Sequence, residues 1–214
     1  MHGKFITFEG GEGVGKTTQI ARAAEWLKSR GIEAIVTREP GGTGRAEVLR
    51  DLLLGRDGET MPPSCELLLM FAARATHLTN LIEPALARGL WVLCDRFTDA
   101  TYAYQGSGRG MSEHDIDALV RIVHPARQPD LTLLLDAPAV TGMERASVRN
   151  GTQGPDRFET ERLEFFERVR QGYLERARRE PVRIKVIDAV KSLDAVQASI
   201  ARQLEAAFFA DVRA

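Results

Sequence analysis

Gly10, Gly11, Glu12, Gly13, Val14, Gly15, Lys16 and Thr17 run consecutively, match G-x-x-x-x-G-K-[ST] and are followed by Thr18. Residues of these types in this order can hold a polyphosphate. The glycines let backbone amides turn inward on phosphate oxygens, the following helix presents the positive end of its dipole, and Lys16 reaches the β/γ-phosphates. Thr17 offers a hydroxyl to Mg²⁺. The apolar stretch Phe5-Ile6-Thr7-Phe8 before the loop and the amphipathic pattern after it supply the strand, loop and helix that such a cradle requires.

Further polar residues follow other apolar runs. In an open α/β sheet, ligands gather at the carboxyl ends of the strands, so these positions carry the functional signal. Arg38-Glu39-Pro40-Gly41-Gly42 follows one run, Asp95-Arg96-Phe97 another, and Asp136 a third. Arg38 and Arg96 would lie over the same sheet edge, able to hold a second phosphate by charge-assisted bonds. Two phosphate sites imply phosphoryl transfer. Asp95 and Asp136 each end an apolar strand and so each resembles the carboxylate that phosphate-loop enzymes turn toward Mg²⁺. Arg96 directly after Asp95 favours Asp95; Asp136 reads better as a hinge or helix-start residue.

The elements that must carry these residues alternate along the chain, which predicts parallel βαβ units. Strands are expected at Lys4 to Glu9, Glu33 to Arg38, Trp91 to Asp95, Leu131 to Asp136 and Arg183 to Asp188, short and apolar as strands covered on both faces are. In the first helix Ile20, Ala23, Ala24 and Leu27 recur at helical spacing, and Gly31 ends it. Other helices are predicted over Ala46 to Leu54, Cys65 to Arg88, Glu113 to Val123, Arg162 to Arg178 and Leu193 to Phe209. Without repeats or a low-complexity linker, the economical reading is one domain.

Composition narrows the class. The chain has 214 residues, 43% hydrophobic and 28% charged, enough to bury a core without disulfide or metal staples. A net charge of −1 offers no global basic field for nucleic acid or an anionic membrane. Cys65 and Cys94 show no metal-ligand spacing, and Cys94 sits in an apolar run that suits a packed, reduced thiol. With no signal-peptide pattern and no long apolar span, the expectation is a cytoplasmic protein. From Arg149 to Asp156 the chain is rich in helix breakers and is flanked by Arg145, Arg149, Arg157 and Arg162. Such a segment is suited to a flap that carries guanidinium groups onto a polyphosphate and excludes water.

Arg38-Glu39-Pro40-Gly41-Gly42, Asp95-Arg96-Phe97 and Tyr104-Gln105-Gly106, taken with the phosphate loop, resemble bacterial thymidylate kinase from Phe5 to about Ala189. The resemblance implies a P-loop nucleoside monophosphate kinase-like three-layer α/β fold, with a five-stranded parallel sheet, helices on both faces and a short lid. It implies a single kinase domain over 1–214, with the lid inserted at about 145–160. The implied reaction is ATP plus dTMP giving ADP plus dTDP, with Mg²⁺, in a homodimer serving dTTP biosynthesis. Phe71 and Arg74 match the family's base-reading pair, in which a ring stacks on thymine and a guanidinium bonds its O4. Without the resemblance, an aromatic residue at position 71 reads as core.

Other roles follow from the same resemblance. Glu12 matches a carboxylate near the sugar 3′-hydroxyl, Arg38 and Arg96 the arginines around the dTMP phosphate, and Thr101, Tyr104 and Gln105 the wall near the base and sugar 2′ position. Glu9 is expected near the metal, with Thr17 and Asp95. Residues 10 to 18 with Arg145 and Arg149 are expected on ATP, and Lys16, Arg96 and Arg149 as the catalytic set. Gly13 stands where some members carry a phosphate-loop arginine, so the lid should supply that charge: Arg149 first, Arg145 or Arg157 behind it. The rival readings are a kinase for another nucleoside monophosphate and a nucleotide-dependent switch. The chain has no Asn-Lys-x-Asp guanine-reading motif, and a switch has no need of a second phosphate site.

Overall fold

The computed structural model describes residues 3–55, 59–150, 157–158 and 161–209, except for the side chains of 149 and 150. Most of the predicted flap segment therefore lies outside the described residues. Five strands form one sheet: β1 (Phe5–Glu9), β2 (Ala34–Arg38), β3 (Trp91–Asp95), β4 (Leu131–Asp136) and β5 (Ile184–Asp188). All paired neighbours are parallel, and the order is β2-β3-β1-β4-β5. The predicted strands hold, each matched to within one residue at its start. Central β1 is buried along its whole length, as expected for a strand covered on both faces.

Helices cover both faces of the sheet. On one, α1 (Lys16–Lys28) and α9 (Leu193–Phe208) bury Ile20, Ala23, Leu27, Val196, Ile200 and Leu204 in the cluster that holds Ile6 and Phe8. On the other, α8 (Leu163–Arg179) buries Phe165, Phe166, Val169 and Tyr173. Between β2 and β3 lie α2 (Gly44–Leu54) and α3 (Pro63–His77), the latter continuing through a π turn (Leu78–Ile82) into α4 (Glu83–Ala87). The predicted helix from Cys65 to Arg88 is thus one rod with a widened turn. Pro84 explains the widening, because it has no N–H to give to the carbonyl one turn earlier.

Three helical segments depart from the sequence reading or extend it. Thr98–Thr101 (α5) runs on as a π-helical stretch, Tyr102–Gly108, which was not foreseen because Gly106 and Gly108 argue against a helix. Tertiary packing overrides that propensity: a Cβ on Gly172 of α8 would come within 3.1 Å of Ala103 Cα, so the two helices touch backbone to backbone. After α6 (Glu113–Val123), α7 (Ala139–Asn150) follows β4 and carries Arg145. Strand register then aligns the functional positions, pairing Phe8 with Asp95 and Arg38 with Asp95 at one edge of the sheet.

Candidate active site

The carboxyl edge of the sheet opens into a cleft of about 1020 Å³, lined by the phosphate loop at one end and by Met70, Ala100, Tyr104 and Gln105 at the other. Backbone geometry explains the loop's glycines. Gly10 and Gly13 have φ of 136° and 64°, in the left-handed region, and a Cβ on Gly13 would overlap the Gly142 carbonyl oxygen of α7. Lys16 is buried and its Nζ donates to the carbonyls of Gly10 (3.2 Å) and Gly11 (2.8 Å). Burial, with the Arg96 charge nearby, lowers its pKa from the ordinary lysine value. Thr17 and Thr18 face the cleft at the start of α1.

Arg96 links this loop to the far end of the cleft. Its own φ of 68° is unusual for a residue with a side chain, a strain held by many contacts. Nη1 donates to Gly10 O (2.9 Å) and Tyr173 Oη (3.0 Å), and Nη2 donates to Glu12 Oε1 (2.5 Å). Tyr104 Oη donates to the same Glu12 oxygen at 2.9 Å, and its ring lies under the guanidinium. The expected Arg96, Glu12 and Tyr104 are therefore together. Arg38 lines the same cleft from its rim, half exposed and paired with Glu47 at 2.8 Å.

The acidic candidates separate clearly. Asp95 Oδ1 is buried and has no hydrogen-bond partner among the described residues. Asp136 is occupied, receiving Arg170 Nε at 2.8 Å and Nη2 at 2.9 Å. Glu9 is fully buried, accepting from Phe97 N (2.7 Å) and Tyr173 Oη (2.8 Å), so protein donors engage both its oxygens. Burial, reinforced by the charge of Asp99, pushes its carboxyl up to about 8. For a Mg²⁺ site the fit is oxygen donors of the right kind: the Thr17 hydroxyl at the loop and the orphaned carboxylate oxygen of Asp95. That small donor set suits an ion which takes its remaining ligands from phosphate and water.

At the opposite end Arg74 is buried. Its Nε donates to Glu39 Oε2 (2.7 Å) and its Nη2 to Phe97 O (3.2 Å) and Thr101 Oγ1 (3.1 Å), while Nη1 has no partner among the described residues. Gln105 is arranged alike, with Nε2 donating to Glu66 Oε1 (2.7 Å) and a buried Oε1 unpartnered. The site thus holds a spare donor and a spare acceptor. Phe71, expected against the base, has a ring that is 2% exposed, lies among Leu67, Tyr102 and Ile116, and stands against the Arg74 guanidinium at 4.9 Å. Met70, one residue earlier and a full turn from Arg74, lines the cleft.

The arginines expected in a lid divide. Arg145 lines the cleft beside the loop and donates to Ala189 O (3.2 Å). Arg157 donates to Leu53 O (2.9 Å) and Glu66 Oε2 (2.6 Å), tying its segment to α2 and α3. Arg149 lies in the last turn of α7, and its side chain lies outside the described residues. Sequence reasoning missed Met70, Glu66, Glu39, His77 and Tyr173. For Met70 a signal was present, the i to i+4 spacing from Arg74; Glu66 and Tyr173 act through contacts distant in sequence.

Residues 8–200 match the family model described as Thymidylate kinase. Curated relatives named thymidylate kinase include one from Chromohalobacter salexigens, 59% identical over 94% of this chain and 95% of the relative. Another, from Methylococcus capsulatus, is 55% identical over 95% of each. Among solved structures, a thymidylate kinase from Ehrlichia chaffeensis superposes with a TM-score of 0.78 at 33% identity, covering 95% of this chain and all of that one.

Proposed function

The chain belongs to the thymidylate kinase family, and from that premise we propose how its residues divide the phosphorylation of dTMP to dTDP by ATP. The carrying observation is Arg96, whose one guanidinium donates to the phosphate loop at Gly10 O and Glu12 Oε1 and also meets Tyr173 Oη and the Tyr104 ring on the acceptor side of the cleft. A charge at that place serves the acceptor phosphate while neighbouring the donor. Lys16 and the loop amides hold the donor phosphates, and Lys16 exchanges its bonds to the Gly10 and Gly11 carbonyls for phosphate oxygens. Arg38, at the rim, adds a second cation for the acceptor.

The acceptor phosphate is already anionic, so transfer needs no strong general base, and the protein contributes positioning and charge neutralisation. Mg²⁺, when bound, neutralises charge on the β- and γ-phosphates, and Thr17 with Asp95 would hold it. Thymine presents O4 as acceptor and N3–H as donor; these complement Arg74 Nη1 and Gln105 Oε1, which have no partner among the described residues. Cytosine reverses both. Met70 supplies the apolar face for the base, and Glu12 with Tyr104 borders the sugar.

The remaining attributes are part of the same reading: one kinase domain with a lid at about 145–160, working as a homodimer in the cytoplasm. Exposed Val48, Leu52, Leu68 and Ile122 on α2, α3 and α6 support a covered face, and no helix among the described residues is long and apolar enough to cross a membrane. The deciding test is ADP release with MgATP and a panel of dTMP, dUMP, dCMP, dAMP and dGMP. Turnover with dTMP well above dCMP and the purine nucleotides is expected; equal turnover of dCMP would remove the assignment of Arg74 and Gln105.

A further inference from the structure

Behind Arg74 lies a buried chain of polar side chains with no role in the reaction described above. Arg74 Nε donates to Glu39 Oε2 at 2.7 Å, and the other oxygen, Oε1, accepts from His77 Nδ1 at 3.0 Å. His77 Nε2 in turn stands 2.8 Å from Thr37 Oγ1. All four side chains are nearly inaccessible, with His77 fully buried and Glu39 at 4% exposure. Gly42 closes over the far end: with φ of 87°, it lies where any Cβ would collide with His77 Nε2. Its place in the Arg38 to Gly42 motif therefore has a packing reason in addition to a turn reason.

Such a chain has a cost that must be balanced. A buried carboxylate is stable only when paired, and Glu39 has both oxygens engaged, one by a guanidinium and one by an imidazole. The outcome is a guanidinium with no freedom to turn. Nε is fixed by Glu39, Nη2 by Phe97 O and Thr101 Oγ1, and Cζ stands over the rings of Phe71 at 4.9 Å and Phe97 at 5.1 Å. Nη1 is left, buried and without a partner among the described residues. An unmet donor in that setting favours a ligand that brings an acceptor and penalises one that brings a donor.

We infer that Glu39, His77 and Thr37 are positioning residues for base selection, a chain that locks the Arg74 guanidinium so that Nη1 alone is presented to the acceptor base. This inference rests on the assignment of Arg74 to that base. It assigns to the motif glutamate and to a histidine one turn past Arg74 a part in selectivity that runs through the Arg74 guanidinium. Thr37 ends the chain on β2, so the orientation of Arg74 is referred back to the sheet.

The experiment compares kcat/KM for dTMP and dCMP in His77→Gln, His77→Asn, Thr37→Val and Arg74→Ala, each checked by thermal melting. Loss of the Nδ1 donor in His77→Gln frees Glu39 to turn, and the dTMP to dCMP ratio is expected to fall about tenfold, the scale of one hydrogen bond to a charged group. The loss should sit in the KM for the monophosphate and leave the KM for ATP in place. His77→Asn, whose amide can donate from the Nδ1 position, should recover most of the ratio; a purely structural role would lower the melting temperature in both variants without moving it. Thr37→Val, a near-isosteric change, should give a smaller drop in a protein that folds. If Arg74→Ala abolishes discrimination while His77→Gln and Thr37→Val keep it, the positioning chain is refuted and Arg74 stands alone. If Arg74→Ala itself keeps discrimination, the base assignment falls, and the chain's proposed role with it.

Discussion

Asp95 and Asp136 end the two strands that flank β1, yet Arg170 holds Asp136 through two hydrogen bonds whereas Asp95 Oδ1 is buried with no partner among the described residues. A carboxylate oxygen kept unpaired in a protein costs stability unless something else meets it, and beside a phosphate loop a divalent cation is the fitting complement. Asp95→Asn is therefore expected to lower kcat by about a hundredfold, the scale of a lost electrostatic contact at a transferring group, and to raise the Mg²⁺ concentration for half-maximal rate. Asp136→Asn should leave the Mg²⁺ requirement in place. A Mg²⁺ titration of both variants checks this, and the reverse pattern would exchange their roles.

Met70 and Phe71 are neighbours in sequence with different surroundings. Met70→Ala should raise the KM for dTMP about tenfold, as expected when the apolar cover of a ligand is removed, with melting temperature little changed. Phe71→Ala empties a site in the core and should cost about 3–5 kcal/mol of stability. Steady-state kinetics on dTMP with parallel melting curves separates the two. A Phe71→Leu variant that folds normally but binds dTMP poorly, beside a normal Met70→Ala, would put the ring back on the base.

How far the sequence carried depended on whether a feature was local. Strand positions and the phosphate loop were legible because each is written in a short run of residues: apolar stretches for β1 to β5, glycines and Lys16 for the cradle. The meeting of Arg38, Arg96 and Asp95 at one edge was legible because parallel strands all end there. Which of Met70 and Phe71 covers the base was not legible, since a helix turns its side chains by about 100° per position and a motif match does not settle which neighbour faces a cleft. The helix after Phe97 was hidden by its glycines, of which Gly108 is required by α8: a Cβ there would meet Phe165 and Val169. The hydrogen bonds from Tyr173 to Glu9 and from Arg157 to Glu66 join residues 164 and 91 positions apart; no pattern in the sequence announces such pairs.

Glu39 makes a prediction in pH. Burial alone would raise its carboxyl, but the Arg74 guanidinium and the His77 hydrogen bond more than offset this, and its pKa lies below the ordinary carboxylate value. A carboxyl depressed in the folded state contributes stability above its unfolded pKa, and that contribution is lost as pH falls through the folded value. Glu39→Gln should thus be less stable than the parent at neutral pH, and the gap should narrow as the solution is acidified below the usual carboxylate range. Thermal melts across that window measure it; a gap that widens on acidification would contradict the ion pair.

Gly13 is explained by α7. Its φ of 64° and the Gly142 carbonyl against it leave no room for a Cβ, so Gly13→Ala should cost about 1–3 kcal/mol for the strained backbone alone. The same change should weaken ATP binding, because the loop must shift to relieve the overlap. Melting and ATP affinity, measured together, test the point. A stable Gly13→Ala protein with normal ATP affinity would show that the loop and α7 stand further apart.

The closeness of Gly13 and Gly142 also means that no arginine fits in the loop of this chain at that position, and we propose that the 145–160 segment supplies the further charge on the transferring phosphoryl group. Two of the three candidates are already tethered: Arg145 to the Ala189 carbonyl at the end of β5, and Arg157 to Glu66 and the Leu53 carbonyl on the acceptor side. Arg149 lies one helical turn beyond Arg145 on α7, the helix that Gly142 seats against the phosphate loop. We predict that Arg149→Ala lowers kcat by at least about tenfold with little change in the dissociation constants of ATP and dTMP, the pattern of a contact made mainly in the transition state. Arg145→Ala should instead weaken ATP binding, and Arg157→Ala should raise the KM for dTMP by releasing Glu66 and, through it, Gln105. Single-turnover rates with saturating MgATP and dTMP isolate the transfer step. If all three variants retain near-normal rates there, the charge on the transferring group is met by Lys16 and Arg96 without the lid.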